Sequence, residues 1–198
     1  MSINFRNKSI DDVRNDFNNL ITSKNVSDLI IENFDEICEV IPELKPLENF
    51  NQNNKYHIYD VLKHTLVVLD NTNNDLVLRL SALFHDIAKP LCYTKDAKGN
   101  GHFYGHDLKG VEITKNIMKR LKYEDNIIKD VLQLVKYHDY QLYLKEAPLK
   151  KLLSKIDKHL VDKLFLLKRA DCLGQNPEYI SRLDLVDKAK KMIDKMNV

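Results

Sequence analysis

The residues best suited to chemistry are a histidine and an aspartate that stand side by side at the end of an apolar segment. His85 and Asp86 follow the run LVLRLSALF and precede Lys89-Pro90. The run has the spacing of one buried helix face, with apolar residues at i, i+4, i+7 and i+8 (Leu76, Leu80, Leu83 and Phe84). Pro90 is expected to end this helix. Because a buried unpaired charge costs several kcal/mol, the pair needs a partner, and a divalent cation would satisfy it.

Other predicted helices carry side chains of the same chemistry at inward or terminal positions, namely His64, His138 and Asp171. A lone buried histidine is more often a satisfied core residue than a ligand, so no single position is decisive. Six of the seven histidines, however, lie between Tyr56 and His138. This clustering favours a shared site over scattered core histidines.

Helical patterning extends over most of the chain and predicts an all-α fold. Only five Gly and five Pro among 198 residues favour helix over a turn-rich β fold. Ser9 is the expected N-cap of the first helix. The later helices are predicted over residues 26–40, 57–69, 76–89, 107–121, 123–138, 149–156, 160–173 and 177–196. The β-forming residues that flank Gly99-Asn100-Gly101 predict a short β-ribbon or ordered loop near residues 91–105.

A stretch rich in proline and asparagine, residues 42–55, interrupts the helical pattern. We predict a loop there, which divides an N-terminal helical extension, residues 1–45, from a main domain, residues 46–198. The whole chain has the size of one ordinary domain with a small appendage.

Composition and charge argue against several classes of protein. A formal net charge of +2 is too small to indicate nucleic-acid binding by itself. Three cysteines, Cys38, Cys92 and Cys172, show no C-x-x-C spacing, which favours free thiols in a reducing compartment. No stretch approaches the roughly 20 apolar residues of a membrane span. We therefore expect a cytoplasmic protein that does not contact membranes.

The order His64, His85-Asp86 with Lys89, and then Asp171 resembles the H…HD…D signature of the HD-domain metal-dependent phosphohydrolases. Five segments resemble more closely the HD domain of bacterial CCA-adding tRNA nucleotidyltransferases and poly(A)-polymerase-like proteins: YHIYDVLKHTL, LRLSALFHDIAKP, HFYGHD, LVKYHD and KRADCLGQNP. The resemblance covers residues 41–177 or so and implies an HD-domain helical bundle. These 198 residues contain no Gly-Ser followed by paired Asp on a strand, so we do not expect CCA addition from them alone.

The resemblance implies that one divalent cation is bound by His64, His85, Asp86 and Asp171. Imidazole and carboxylate ligands suit Mn, Ni, Mg, Fe, Co or Zn, and the lack of cysteine ligands argues against a closed structural zinc site. The expected catalytic residues are Asp86 and Lys89. Lys89 shares a helix face with the pair and is the best candidate to bind phosphate, with a simple ion pair to Asp86 as the alternative.

Further histidines occupy places where some HD families add ligands. His106 and His138 are candidate ligands for a second metal ion, so that one or two cations are expected per chain. The alternative is that these two histidines bind substrate phosphate or water. His57 and His102 are candidates to line the substrate site, although an exposed His57 is the simpler interpretation.

The resemblance therefore implies a metal-dependent phosphohydrolase, a phosphatase or phosphodiesterase that uses metal-activated water. Its expected substrate is a small phosphorylated molecule, first of all a nucleotide, or the phosphate at an RNA end. The alternative is a non-catalytic nucleotide- or tRNA-binding module derived from a tRNA-processing enzyme. The oligomeric state is left open, and the first helices could form an interface with a partner.

Overall fold

A computed structural model describes residues 4–196, and helices dominate this part of the chain. The α-helices are α1 (Ile10–Ile21), α2 (Val26–Glu32), α3 (Phe34–Val40), α4 (Val61–Asp70), α5 (Leu76–Phe84), α6 (His106–Arg120), α7 (Asp125–Tyr137), α8 (Glu146–Leu153), α9 (Val161–Leu173) and α10 (Ser181–Lys195). Short 3-10 helices cover Pro42–Leu47, Lys89–Leu91, Lys158–Leu160 and Pro177–Tyr179. The all-α prediction is confirmed. Among the described helices, none combines the length and hydropathy that a membrane span requires.

Side-chain caps explain where several helices begin. The Ser9 side chain accepts a hydrogen bond from the Asp12 amide at the start of α1, as predicted. The Asp60 carboxylate accepts one from the Lys63 amide, so α4 begins at Val61 rather than at residue 57. His57 consequently lies in the connection before α4, outside any helix.

Two predicted elements differ from the structure near the N-terminus. The helix predicted over residues 26–40 is broken at Asn33, whose backbone leaves helical torsions and whose side chain donates to the Leu29 carbonyl at 2.7 Å. Asparagine offers its own backbone such local bonds in competition with the helix. The loop predicted over residues 42–55 begins instead with a 3-10 helix, because Leu44 and Leu47 are drawn into the core.

Helix α5 runs through the centre of the molecule, and every residue from Leu78 to Phe84 is buried. A helix that is buried on all sides must be surrounded by other elements, and apolar side chains from α1 through α10 form one cluster around it. Each large apolar side chain in such a core stabilises the fold by about 1.5–3 kcal/mol. The N-terminal helices contribute side chains to this same cluster. The division of the chain at residue 45 into an N-terminal extension and a main domain stays a prediction.

The end of α5 turns more tightly than predicted. Instead of running on to Lys89, the helix ends at Phe84, and the amides of Ile87 and Lys89 donate to the carbonyls three residues earlier, at 3.2 and 3.0 Å. Pro90 lies within the 3-10 helix that follows. His85 and Asp86 thus stand in a compact turn at the end of a buried helix.

The predicted β-ribbon is present as an antiparallel pair, β1 (Thr94–Lys95) and β2 (Gly101–His102). Gly101 lies against the loop before α4: a Cβ atom there would be 2.2 Å from the Gln52 carbonyl oxygen, and its amide donates to the Asn53 carbonyl at 2.8 Å. Only glycine permits this approach. The ribbon is therefore held against the segment that carries Gln52.

Candidate metal centre

Four imidazoles meet around Asp86 in the interior of the molecule. His64 lies in α4, His85 directly follows α5, His106 opens α6 and His138 directly follows α7. All four are buried, and Asp86 itself is only 1% exposed. Residues that are far apart in sequence thus share one small volume at the ends of four helices.

Hydrogen bonds orient each ring in the same way. The Nδ1 atom of every one of these histidines lies 2.6–3.0 Å from a backbone carbonyl oxygen, namely that of Gly174, Ala82, Phe103 and Val135 for His64, His85, His106 and His138. Because a carbonyl only accepts, Nδ1 must carry the hydrogen. In a neutral ring the Nε2 lone pair then points toward the centre, as in metal-binding histidines.

The Nε2 atoms are arranged in two pairs, 3.3 Å apart for His64 and His85 and 3.2 Å apart for His106 and His138. Two Nε2 atoms that both present lone pairs cannot donate to each other. The centre therefore requires positive charge, supplied either by protons on Nε2 or by a cation. This donor set of imidazoles and a carboxylate fits a divalent metal ion.

Asp86 connects the two pairs. Its Oδ2 atom lies 3.4 Å from His64 Nε2 and 3.1 Å from His85 Nε2, while its Oδ1 atom lies 3.5 and 3.6 Å from the Nε2 atoms of His106 and His138. The residues form two triads that share the Asp86 carboxylate: the first triad is His64, His85 and Asp86, and the second is Asp86, His106 and His138. Each triad is compact enough to surround an ion. Among residues 4–196, buried Oδ2 accepts no well-aligned hydrogen bond, although the Lys89 ammonium is 2.6 Å away.

Asp171 adds a second carboxylate to the first triad. It lies near the end of α9, and its Oδ1 atom is 3.1 Å from His64 Nε2 and 4.0 Å from His85 Nε2. The Gln175 side chain donates to both Asp171 oxygens, and Arg182 donates to the side-chain oxygen Oε1 of Gln175 at 2.9 Å. Sequence reasoning missed both residues: Gln175 follows Asp171 by one turn, but no pattern connects Arg182 to it.

Electrostatics keep the carboxylates ionised. Burial raises the pKa of Asp86, but the charges of His85 and Lys89 outweigh it and hold that pKa well below its usual range. Burial also opposes ionisation of Asp171, but the hydrogen bond and charge of His64 lower its pKa. Burial lowers the pKa of His106 and favours its neutral form. Ionised carboxylates and neutral imidazoles are the forms that bind cations.

The surroundings of His85 favour its protonated form. Burial lowers its pKa, but the charge and hydrogen bond of Asp86, together with the charge of Asp171, outweigh burial and raise the pKa of His85. A proton on Nε2 then provides the positive charge between His85 and Asp86. A metal ion at this position would have to displace that proton, so its binding would be favoured as the pH rises.

Lys89 lies beside the first triad and is 5% exposed. Its ammonium is 2.7 Å from the Gln52 side-chain oxygen and 3.4 Å from His57 Nε2, besides its ion pair with Asp86. Burial, followed by the Lys89 charge, lowers the pKa of His57 to about 2. Gln52, in the segment predicted to be a plain loop, is a further residue that sequence reasoning missed.

A second buried lysine supports His138. Lys168 of α9 donates to the carbonyls of His138 and Tyr140, at 2.5 and 2.8 Å. Burial lowers the pKa of this ammonium to about 8. The chain just after α7 is thus held by a side chain three residues before Asp171, which couples the two triads through α9.

Asp86, His106, His138 and Asp171 form the floor of a cleft of about 810 Å³. His57 and His102 line its walls, with their rings held by Asn54 and Asp96 at 2.9 and 3.2 Å. The rim carries cations and aromatic rings, among them Lys55, Tyr56, Tyr104, Lys136, Tyr140, Lys155 and Arg182. A polar cleft with an ionised floor and a basic rim suits an anionic ligand.

Gly174 ends α9, and close packing rather than backbone conformation accounts for its glycine. Its φ is −81°, which any residue adopts, but a Cβ atom would lie 2.9 Å from His64 Nδ1 and 3.1 Å from Val68 Cγ2. Its carbonyl also accepts the His64 hydrogen bond.

We expect the Gly174→Ala variant to bind Mn²⁺ about 10- to 100-fold more weakly, as is typical when a group that orients a metal ligand is disturbed. Competition with a chelator dye measures this affinity. Gly110→Ala is the control, because its added methyl would meet Val135 at an ordinary 3.5 Å. Equal affinities of the two variants would contradict the proposed role of Gly174.

Comparisons with known proteins identify a family and several relatives of this chain. A model of the HD domain matches residues 55–176. The A-adding tRNA nucleotidyltransferase of Deinococcus radiodurans is 32% identical over 133 residues, which cover 64% of this chain and 30% of that protein. The CC-adding tRNA nucleotidyltransferase of Thermus thermophilus is 29% identical over 133 residues, with the same coverage. The multifunctional CCA protein of Pasteurella multocida is 30% identical over 131 residues, or 60% of this chain and 30% of that protein.

The chain thus spans about 30% of the length of these relatives. The similarity to them lies in the region of the His and Asp cluster, and the resemblance seen in the sequence motifs is confirmed. Because the HD domain model accounts for more than half of the residues, the chain belongs to the HD domain family.

Proposed function

We propose that this protein is a metal-dependent phosphohydrolase that acts on a nucleotide or on the phosphate at an RNA end. The observation that carries the proposal is the pair of triads that share Asp86 at the floor of an open cleft. A purely structural metal site would have no need of such access to solvent.

In this proposal His64, His85, Asp86 and Asp171 hold one divalent cation, and His106 and His138 join Asp86 around a second. Such cations, when bound, lower the pKa of water toward neutrality and neutralise developing charge on a phosphoryl oxygen. The protein's own contribution is the fixed orientation of the rings, since each Nδ1 is tied to a carbonyl. Preorganised ligands need no rearrangement during the reaction.

Lys89 is proposed to bind the substrate phosphate. Its ammonium already lies within the cleft lining beside Asp86, and Gln52 holds it there at 2.7 Å. An ammonium attracts phosphate as a compact point charge. With His57 neutral nearby, as its low pKa requires, the lysine is the cation best placed to attract a phosphoryl group to the floor.

The test is hydrolysis by the purified chain after metal removal and reconstitution with Mn²⁺, Ni²⁺ or Mg²⁺. We expect release of phosphate from nucleoside monophosphates, or opening of nucleoside 2′,3′-cyclic phosphates, that depends on the added metal. The readouts are phosphate release and product chromatography, with metal content measured by plasma mass spectrometry. Absence of turnover with every metal, despite metal bound at the site, would overturn the proposal.

A second candidate function is a non-catalytic module that binds tRNA or nucleotides. The names of the relatives favour it, since those proteins are tRNA nucleotidyltransferases. It predicts tRNA binding without hydrolysis, with an affinity that falls steeply as salt rises. The two triads argue for hydrolysis, because a binding module does not need them.

A further inference from the structure

Tyr104 is the most exposed large hydrophobic side chain among residues 4–196, at 77%. It lies at the rim of the cleft, two residues after the end of the β-ribbon and two residues before His106. Two residues of extended chain span at most about 7 Å. The ring therefore stands within the reach of a ligand whose phosphate lies at the metal centre.

The Tyr104 ring is held in place although it is exposed. It stacks on His102 with the ring planes 5° apart and the centroids separated by 5.3 Å. His102 in turn bonds to Asp96 across the ribbon at 3.2 Å, and Asp96 accepts further bonds from Lys98 and Asn100. With one face against His102 and most of its surface exposed, Tyr104 presents its other face to solvent.

The groups around the exposed face of Tyr104 favour a nucleobase as its ligand. Exposed aromatic rings that are rigidly placed beside cationic groups are the usual platforms for stacking nucleobases. Here Lys89 lies at the floor of the same cleft, with its ammonium above the Phe103 ring, the residue preceding Tyr104. A phosphate near Lys89 and a planar base on Tyr104 would occupy the cleft together.

We propose that Tyr104, oriented by His102, is the platform on which the nucleobase of the substrate stacks. This inference rests on the proposed function for its phosphate end, but it adds the recognition of a base. It assigns His102 a positioning role, since the ring contacts Tyr104 rather than the substrate. Substrates without a base are then bound more weakly than nucleotides.

The absence of tryptophan from the sequence permits a direct test. Tyr104→Trp introduces the single tryptophan of the chain at the proposed platform, where its indole can be excited selectively over the tyrosines, and stacking on a base quenches indole emission. We expect adenosine 5′-monophosphate to quench it in the Mg²⁺-loaded protein, read by stopped flow before turnover, whereas ribose 5-phosphate does not. Tyr143→Trp is the control, because Tyr143 is 49% exposed and belongs to the described surface away from the cleft lining.

Affinities measured by calorimetry on the chelator-treated protein, in which the metal-dependent turnover does not occur, complete the test. Tyr104→Ala should weaken binding of adenosine 5′-monophosphate roughly 5- to 100-fold and leave that of ribose 5-phosphate unchanged, while Tyr104→Phe retains the wild-type preference. Equal quenching by both ligands, or an unchanged preference in Tyr104→Ala, would overturn the platform. A trinucleotide with a terminal phosphate, compared with the mononucleotide, distinguishes an RNA end from a free nucleotide as the source of the base.

The two proposals can fail separately. Base-dependent quenching without hydrolysis would contradict the proposed hydrolase activity but would support Tyr104 as the stacking platform. Hydrolysis with equal kcat/KM for substrates with and without a base would retain the hydrolase and contradict the platform.

Discussion

The Asp86→Asn variant is expected to lose metal binding and turnover together. Asp86 offers one oxygen to each triad, so its replacement disturbs both proposed ion sites at once. Disturbing a group that merely orients a ligand already costs 10- to 100-fold in affinity or activity, so we expect a loss of about 100-fold or more here. Chelator competition measures the affinity, and phosphate release measures the turnover.

The asparagine is chosen because it matches the shape of aspartate and keeps the buried space filled. Asp139→Asn is the matched control: this residue neighbours His138 and lines the cleft, but it is exposed. It removes the same charge without removing a ligand. If Asp86→Asn kept wild-type metal content and activity, the catalytic role assigned to Asp86 would be wrong.

Removal of the metal is expected to lower the melting temperature by roughly 5–10 °C. A ligand at 100 times its Kd stabilises the folded state by about 2.7 kcal/mol, and each kcal/mol shifts the melting temperature of a chain of this size by about 2–4 °C. The Nε2 atoms of four buried histidines lie in two close pairs, 3.3 and 3.2 Å apart, and a cation beside each pair would stabilise this arrangement. Calorimetry of the chelator-treated and reloaded protein measures the shift.

Single histidine variants separate one bound ion from two. The wild type is expected to hold two ions per chain by mass spectrometry, and His138→Ala is expected to hold one, since the first triad and Asp171 remain. His159→Ala is the control, because that histidine is exposed and bonds to Asp130. A wild type that saturates with one ion would limit the centre to His64, His85, Asp86 and Asp171.

The local features of the chain could be predicted because they arise from nearby residues. The apolar spacing of Leu76 to Phe84 indicates a helix with a buried face, and Ser9 marks a helix start through its own side chain. The glycines around Asn100 indicate a turn. Each of these signals depends on a period of the backbone or on a bond that spans a few residues.

Other local details could not be predicted, because the packing of distant elements decides them. Leu44 and Leu47 turn a proline-rich stretch into a 3-10 helix only because the core has room for them. A glycine at position 174 is what an ordinary helix end would have. Its lack of a side chain, however, leaves room for the ring of His64, which belongs to α4. A sequence read alone contains no measure of such contacts.

The sequence by itself determined that the molecule is helical and that it carries histidines and aspartates typical of a metal site, centred on His85-Asp86. Only the tertiary structure decided that Asp86 lies between two pairs of imidazoles, and that Gln52, Gln175 and Lys168 hold the surrounding groups. The physical reason is that periodicity reports which face of a helix is buried, whereas the meeting of two faces depends on how all the helices pack. The short distances between side chains that could bind one metal ion are therefore set only when the helices pack together.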